Sequence, residues 1–348
     1  MLLELFLVHL LLIQICHALS KKILYNTYDN APKTEQIAAR LLENNQVKIH
    51  LSGLIGSALS FVIRSVFKKS ELPFLVVFNN KEEAAYYLND LEQMIGDQDV
   101  LFYPGSFRRP YQIEDTDNAN VLLRAEVLNR INSRKKPAII VTYPEALFEK
   151  VVTRKELDKN TLKVAVGDKI SIDFINEVLF EYEFKRVDFI TEPGEFSVRG
   201  GIVDVFSFSN DNPYRIEFFG DEVESIRSFD VATQLSIETQ KKITIIPNVE
   251  NKVFQENRES FLDYISEKTV IFIQNTEDFL SQLDKQFWKA EEAFAKLSQE
   301  IKRSTPEQLF LNQASFIKRA LDFSIVEVGS KPIFRTTKKF EYNINPQP

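Results

Sequence analysis

Short β-forming runs alternate with helical stretches between about residue 22 and residue 144, and this order limits the fold more than any other feature. The runs, each rich in β-branched or aromatic residues, are VKIHL (47–51), FLVVFN (74–79), DVLFY (99–103) and AIIVTY (138–143). The helical stretches lie near 34–44, 57–68, 81–94 and 119–132. Because strands that alternate with helices form parallel sheets with crossover helices, the sequence predicts an α/β domain.

The pattern changes to short strands and tight turns between about residue 150 and residue 240. Turn-forming segments SNDNP and GDE separate the runs EFSVRGGIVDVFSF (195–208), YRIEFF (214–219) and VESIRSF (223–229). We expect a three-stranded antiparallel meander, with a bulge at Gly200 and Gly201. The α/β pattern then returns with TVIFIQ (269–274) and a helix over 276–302.

These two patterns predict one α/β domain that a β-rich α+β insertion interrupts. The expected parts are an apolar N-terminal extension (1–22), the first part of the α/β domain (23–148), the insertion (149–239) and the second part of the α/β domain (240–348).

The net charge, and the number and spacing of cysteines and histidines, make some classes of function unexpected for this chain. The formal net charge is −7, with 50 acidic against 43 basic residues, so tight independent DNA binding is not expected. The single cysteine, Cys16, excludes an internal disulfide and a cysteine-based metal site. The three histidines, His9, His17 and His50, are not spaced with carboxylates as metal ligands. We therefore expect neither a metal site nor metal catalysis.

The first twenty residues, MLLELFLVHLLLIQICHALS, are apolar but interrupted by Glu4, His9, Gln14 and His17. They are too short and too polar for a membrane span, which needs about 20 apolar residues. A secretory signal is one interpretation, because small residues end the run, although no basic residue precedes it. An amphipathic extension or a mis-assigned start is the other. The rest of the chain is expected to be cytoplasmic and without a membrane segment.

The stretch SGLIGSALS (52–60) resembles a phosphate-binding loop, G-x-x-x-x-G-K-[ST], that has lost its charged residue. Leucine stands at the position of the lysine that reaches the outer phosphates, and alanine replaces the second glycine. We therefore expect no ATP and no Mg²⁺ in this segment. The alternative is an ordinary strand–turn–helix with accidental glycines. The residues of this degenerate loop are Gly53, Gly56, Ala58, Leu59 and Ser60.

Alternation along YRIEFF predicts which side chains face outward. Successive side chains of a strand point to opposite faces, and the set Tyr214, Ile216, Phe218 is apolar throughout. The opposite face then carries Arg215 and Phe219, and the preceding strand adds Arg199. Arginine and an aromatic ring on one exposed face are typical of an interaction hot spot. The alternative is that Phe219 covers the end of the domain while the arginines pair with Glu217.

The run PGEFSVRGGIVDVFSFSNDNPYRIEFFGDEVESIRSFD (193–230) resembles the UvrB-like module of the bacterial transcription-repair coupling factors, Mfd. YPGSFRRPYQ (103–112) and GLIGSALS, placed where UvrB has an intact loop, are similar too, and the resemblance covers about 25–348. It implies a degenerate RecA/helicase-like, UvrB-like domain whose inserted β domain binds UvrA. The positions that match the family's UvrA contacts are Arg199, Arg215 and Phe219.

The resemblance also implies what lies outside this sequence. Family members continue into an RNA-polymerase-binding domain and an ATP-driven DNA translocase, so we expect this chain to be an N-terminal portion. RNA polymerase, DNA, ATP and Mg²⁺ are expected to bind through those parts, while UvrA binds this monomeric, non-catalytic segment. The leading hypothesis is a module that recruits UvrA to stalled RNA polymerase for nucleotide excision repair. The alternatives are an ATP-dependent UvrB-like DNA helicase and an insertion masked by autoinhibition in the full-length protein.

Three weaker signals remain. Arg108 and Arg109 could form a DNA patch, although the acidic residues that follow favour a solvated loop. Asp221 and Glu222 imitate a helicase DE box, but Gly220 favours a turn. The apolar stripe of the helix at 276–302 predicts packing on the sheet with Trp288 at its margin, or a coiled-coil seam.

Overall fold

The computed structural model describes residues 22–43, 46–106, 118–133, 136–208, 210, 212–248, 258–297 and 304–344. The helices are α1 (described over 22–29), α2 (Pro32–Glu43), α3 (Ala58–Ser70), α4 (Lys81–Ile95), α5 (Asn118–Ser133), α6 (Pro144–Phe148), α7 (Arg154–Lys159), α8 (Ile172–Glu181), α9 (Phe261–Tyr264), α10 (Thr276–Lys296), α11 (Pro306–Leu309) and α12 (Gln313–Ala320). The strands are β1 (Lys48–Ser52), β2 (Phe74–Val77), β3 (Val100–Phe102), β4 (Ile139–Thr142), β5 (Val151–Val152), β6 (Leu162–Ala165), β7 (Lys185–Arg186), β8 (Glu195–Arg199), β9 (Ile202–Val205), β10 (Tyr214–Phe219), β11 (Glu222–Phe229), β12 (Ser236–Thr239), β13 (Lys242–Ile245), β14 (Arg258–Glu259), β15 (Val270–Gln274), β16 (Ser324–Val328) and β17 (Lys338–Glu341).

The larger sheet is parallel and has seven strands in the order β17-β1-β16-β15-β2-β4-β3. Every residue of β2, β4 and β16 is buried, as expected for strands covered by helices on both faces. Local sequence signals determine where the helices between these strands begin and end. For example, the side chain of Asn80 caps α4 by accepting a hydrogen bond from Glu83 N at 2.9 Å, and the helix ends before Gly96. The predicted parallel sheet is therefore confirmed.

The second large sheet has six strands in the order β12-β11-β10-β9-β8-β7 and is antiparallel except for the short pair β7 and β8. The run EFSVRGGIVDVFSF is two strands rather than one, since Arg199 pairs with Ile202. Gly200, with φ +57°, therefore lies in a tight hairpin turn, and the predicted bulge at this point is wrong. The register shift lies instead between Glu217 and Phe218, where β10 pairs with β11.

The strands of the parallel sheet come from both ends of the described chain, and those of the antiparallel sheet come from between them. This arrangement confirms the fold class, an α/β domain interrupted by a β-rich insertion, while the boundaries 23–148, 149–239 and 240–348 remain predictions. Two parallel strands, β16 and β17, were not predicted from the sequence.

The structure tests some of the weaker predictions. Gly220 and Asp221 turn the chain between antiparallel strands β10 and β11, so Asp221 and Glu222 do not follow a parallel strand as a DE box would. Helix α10 buries its stripe within the chain, where the Phe279 and Phe316 rings lie 4.7 Å apart, and Trp288 is 68% exposed. Arg108, Arg109 and the first twenty residues lie outside the described residues. None of the helices that the structure describes combines the length and apolar character needed to cross a bilayer.

Candidate protein-binding face of the antiparallel sheet

One face of the antiparallel sheet packs on the core, and the opposite face carries polar and charged side chains together with the buried ring of Phe229. On the core face, Phe196, Val203, Ile216 and Ile226 are fully buried. Strand pairing aligns Arg215 with Asp204, and Asp204 with Ser197, on the other side. We use the name outer face for the residues that this register places there, namely Ser197, Arg199, Ile202, Asp204, Arg215, Glu217, Phe219, Glu222, Ser225 and Arg227.

A buried carboxylate lies at the centre of the outer face. Asp204 is almost completely buried, and its Oδ1 and Oδ2 accept hydrogen bonds from Arg215 Nε at 2.7 Å and Arg215 Nη2 at 2.9 Å. Arg199 Nη2 also donates to Asp204 Oδ2. Two guanidinium groups from β8 and β10 therefore converge on one carboxylate of β9, which leaves this cluster with a net positive charge.

Aromatic rings support both guanidinium groups. Arg215 lies over the buried ring of Phe229, at 4.4 Å from its centroid, and Arg199 lies over the exposed ring of Phe189, at 5.1 Å. The Arg215 side chain is 18% exposed, against 41% for Arg199. The hydrogen bonds to Asp204 raise the pKa of Arg215 above its usual value. Arg199 is therefore the more accessible of the two cations.

A second ion pair lies beside this cluster. Glu217 accepts hydrogen bonds from Arg227 Nη2 and from Ser225 Oγ, the latter at 2.6 Å. The Ser225 hydrogen bond, with the charge of Arg227, holds the pKa of Glu217 below its usual value. The alternative in which Arg199 and Arg215 pair with Glu217 is therefore wrong, because Asp204 is their partner and Arg227 is the partner of Glu217.

Phe219 ends β10 immediately before the turn at Gly220, and it is 82% exposed. The neighbouring Phe218 is buried on the core face, as strand alternation requires. The alternative in which Phe219 covers the end of its own domain is therefore wrong. The outer face presents an aromatic ring and cationic side chains together, which is the composition of a protein-binding surface.

The loop over 52–60 lies between β1 and α3, where a phosphate-binding loop lies in nucleotide-binding proteins. Gly53 has φ +75°, and a β-carbon placed on it would lie 1.9 Å from the carbonyl oxygen of Tyr342. Tyr342 N in turn donates to Ser52 O at 2.8 Å. The backbone that follows β17 thus packs directly against the start of this loop, which explains why glycine is needed there.

Several side chains of this loop and of the following helix face the core, although Ile55 is 51% exposed. Ala58 is buried, Leu59 is 4% exposed, and Gly56 has φ +55° with open space around it. Ser60, at the position where a phosphate-binding loop has its magnesium ligand, is fully buried and donates to Asp90 Oδ2 at 3.1 Å. Leu59 and Ser60 therefore contribute to packing and to internal hydrogen bonding.

Residues 162–250, which contain β6 to β13 and the whole outer face, match the family model of the UvrB interaction domain. A transcription-repair-coupling factor of Bacillus subtilis is 33% identical over 216 residues, 62% of this chain and 18% of that protein. Those of Rickettsia bellii and Myxococcus xanthus are 31% and 30% identical, over 58% and 61% of this chain. The chain is similar to transcription-repair-coupling factors. It spans about 18% of the length of these relatives.

The similarity to transcription-repair-coupling factors confirms the resemblance predicted from the sequence. Within the matched UvrB interaction domain, the structure places Arg199, Arg215 and Phe219 on one outer face. Their role in binding stays a prediction. Sequence reasoning missed Asp204 and Arg227, although an aspartate inside the apolar strand IVDV was a usable signal of a buried ion pair.

Proposed function

We propose that this chain is the UvrA-recruiting module of a transcription-repair-coupling factor, linking stalled RNA polymerase to nucleotide excision repair. The observation that carries the proposal is the exposed ring of Phe219, on the same face as Arg199 and Arg215 in a matched UvrB interaction domain. In this proposal UvrA binds the outer face, and RNA polymerase and DNA bind other parts of the full-length protein. A monomeric state and a cytoplasmic location belong to the same proposal.

The chemistry of the outer face fits a protein partner with carboxylates beside an apolar pocket. A ring that is 82% exposed gains apolar burial on binding, and it does not first have to leave its own core. The cation of Arg199, 41% exposed, can form charge-assisted hydrogen bonds to a carboxylate of UvrA. The proposed interaction therefore combines an exposed aromatic anchor at the end of β10 with a charged contact on the same face.

The β1–α3 loop supports a role without ATP hydrolysis in this segment. A lysine is needed to reach the outer phosphates, and this position holds the buried Leu59. The hydroxyl of Ser60 is already engaged by Asp90. These contacts speak against the alternative of an ATP-dependent UvrB-like helicase, and we propose that the loop has kept only its packing role. Saturable binding of MgATP to this chain would overturn that part of the proposal.

The test is a titration of the full chain with UvrA. Truncation of Phe219 to alanine should weaken binding by about 2 kcal/mol, roughly 30-fold, because the aromatic ring that UvrA is proposed to cover is lost. Arg199→Ala should also weaken binding, while Arg215 keeps Asp204 paired. Trp288→Ala is the matched control, since it removes another exposed ring, 68% against 82% for Phe219, from α10 outside the insertion. Wild-type affinity in a folded variant carrying both Phe219→Ala and Arg199→Ala would refute the proposed function.

A further inference from the structure

Asp204 is buried at the centre of the outer face and contacts both arginines that the proposed function uses. We infer that Asp204 is a positioning residue for UvrA binding: it fixes the direction of Arg199 and Arg215 and does not itself touch the partner. This inference rests on the proposed function. It concerns a residue whose side chain is hidden from any protein that docks on the face.

The geometry gives Asp204 this role. Its two oxygens accept from Nε and Nη2 of Arg215 at 2.7 Å and 2.9 Å, a bidentate pairing that sets the plane of the guanidinium group. Phe229 lies on one side of that plane, at 4.4 Å from the guanidinium carbon. Arg215 is therefore held by its partners on β9 and β11, and little of its side chain reaches solvent.

Arg199 is held in a different way. It donates one Nη2 hydrogen bond to Asp204, and Phe189 lies beneath its guanidinium group. Among the residues that the structure describes, no other hydrogen-bond partner of Arg199 is found, and the side chain is 41% exposed. Asp204 therefore directs one end of this guanidinium group and leaves donors on the other end facing solvent. The two arginines have unequal roles, with Arg199 as the contact and Arg215 as its support.

The charge of Asp204 also matters. Two guanidinium groups close together repel each other, and a carboxylate between them removes this repulsion while one net positive charge remains. Without that carboxylate, the flexible Arg199 side chain gains nothing from staying near Arg215 and must be ordered when UvrA binds. Side-chain ordering on binding lowers affinity, so loss of Asp204 should weaken binding through Arg199.

The experiment is a double-mutant cycle of Asp204→Asn and Arg199→Ala, with the affinity for UvrA as the readout. Asp204→Asn keeps the shape of the side chain and removes its charge, and we expect about tenfold weaker binding. In the Arg199→Ala background the same change should have little further effect, because the residue through which Asp204 acts is gone. Equal effects of Asp204→Asn in both backgrounds would contradict the inference and indicate a purely structural role.

Glu195→Gln is the matched control. Glu195 is also a buried carboxylate of this sheet, but its Oε2 accepts from Thr191 and from the backbone of Glu192. If loss of any buried carboxylate weakens binding through stability alone, this variant should weaken binding as much as Asp204→Asn. We expect its affinity for UvrA to stay within about twofold of wild type.

A second measurement does not depend on UvrA. Nuclear magnetic resonance of the arginine Nε–Hε groups should show slow hydrogen exchange for Arg215 in the wild-type chain and fast exchange in the Asp204→Asn variant. Should Asp204→Asn fail to fold, Asp204→Glu keeps the charge and serves in its place, and it should shift these arginine signals. Unchanged signals would overturn the positioning role. A wild-type chain that fails to bind UvrA but shows the expected exchange would contradict the proposed function alone.

Discussion

Two regions of this chain have motif-like sequences, and they differ in the solvent exposure of their key side chains. In the β1–α3 loop, Leu59 is 4% exposed and Ser60 bonds to Asp90. On the outer face of the antiparallel sheet, Phe219 is 82% exposed. In the loop, the side chains at the lysine and magnesium-ligand positions are buried, although Ile55 is 51% exposed. The outer face keeps an apolar ring in water, which costs free energy unless a partner covers it.

A motif indicates a binding function only when its side chains are accessible to a ligand or partner. The loop over 52–60 lies between a strand and a helix and has the first glycine of a phosphate-binding loop, and its backbone packs against the residue that follows β17. The outer face has no sequence signature of a catalytic site. Its cations, however, are ordered by Asp204, and its ring is free of the core. Binding is therefore expected at the second region.

The largest loss of stability is expected when the ion cluster of the outer face is broken. Changing both Arg199 and Arg215 to alanine leaves Asp204 buried without a cation, and this should cost about 3–5 kcal/mol of folding free energy. Adding Asp204→Asn to this variant should recover part of the loss, because the uncompensated charge is gone. Urea unfolding, followed by circular dichroism, measures both changes. If the variant without the two arginines is as stable as wild type, the carboxylate is not buried as described.

A second prediction tests whether the β1–α3 loop is constrained by its packing against the backbone that follows β17. Gly53→Ala should cost about 3 kcal/mol or more, because a β-carbon would meet the carbonyl oxygen of Tyr342 at a positive φ. Gly56→Ala is the matched control: it also has positive φ but open space, so only about 1 kcal/mol should be lost. Unfolding free energies of the two variants give the comparison. Equal losses would show that the contact with Tyr342 does not constrain the loop.

The smallest expected effect is a pH dependence at Lys48, in the strand that leads into this loop. Its Nζ donates to Leu321 O at 3.1 Å and to Phe323 O, and burial lowers its pKa to about 8, against the opposing charges of Asp322 and Glu327. Between pH 8 and the normal lysine pKa near 10.5, the unfolded chain therefore holds the proton more tightly than the folded chain. The free energy of unfolding should rise as the pH rises through this window.

Lys48→Met removes the titrating group and is the natural comparison for this prediction. The stability of wild type relative to Lys48→Met should increase by about 2 kcal/mol between pH 7.5 and 9.5. Urea titrations at several pH values measure this difference. A wild-type stability that falls relative to the methionine variant over the same range would show that the lysine is stabilised in its charged form.

The parallel sheet was predictable where strand runs and helical stretches alternate locally, as in β1 to β4 and α2 to α5. Strands β16 and β17 were not predictable in this way, and the reason differs between them. The run SIVEV of β16 contains Glu327, whose charge is compensated by hydrogen bonds from the backbone of Ile333 and Phe334. The run KKFE of β17 reads as a surface segment, and only its pairing with β1 makes it a strand.

The outer face was predictable in its side-chain directions but not in its contacts. Alternation in YRIEFF correctly separates Phe218 from Phe219, since a strand has a side-chain period of two. The partner of Arg215 depends on which residue of β9 lies opposite it in the separate pairing of β9 with β10. The hairpin turn at Gly200 sets the register of β8 against β9, and Gly-Gly fits a bulge as well as a turn, so the sequence alone could not locate Asp204 beside Arg199.

Hydrogen–deuterium exchange of this chain with and without UvrA compares the two regions most directly. Binding of UvrA should slow exchange in peptides that cover the strands of the outer face, 195–199 and 214–229, and leave peptides over 52–60 unchanged. Slower exchange confined to the β1–α3 loop, or no change in the antiparallel sheet at saturating UvrA, would contradict the proposed binding face.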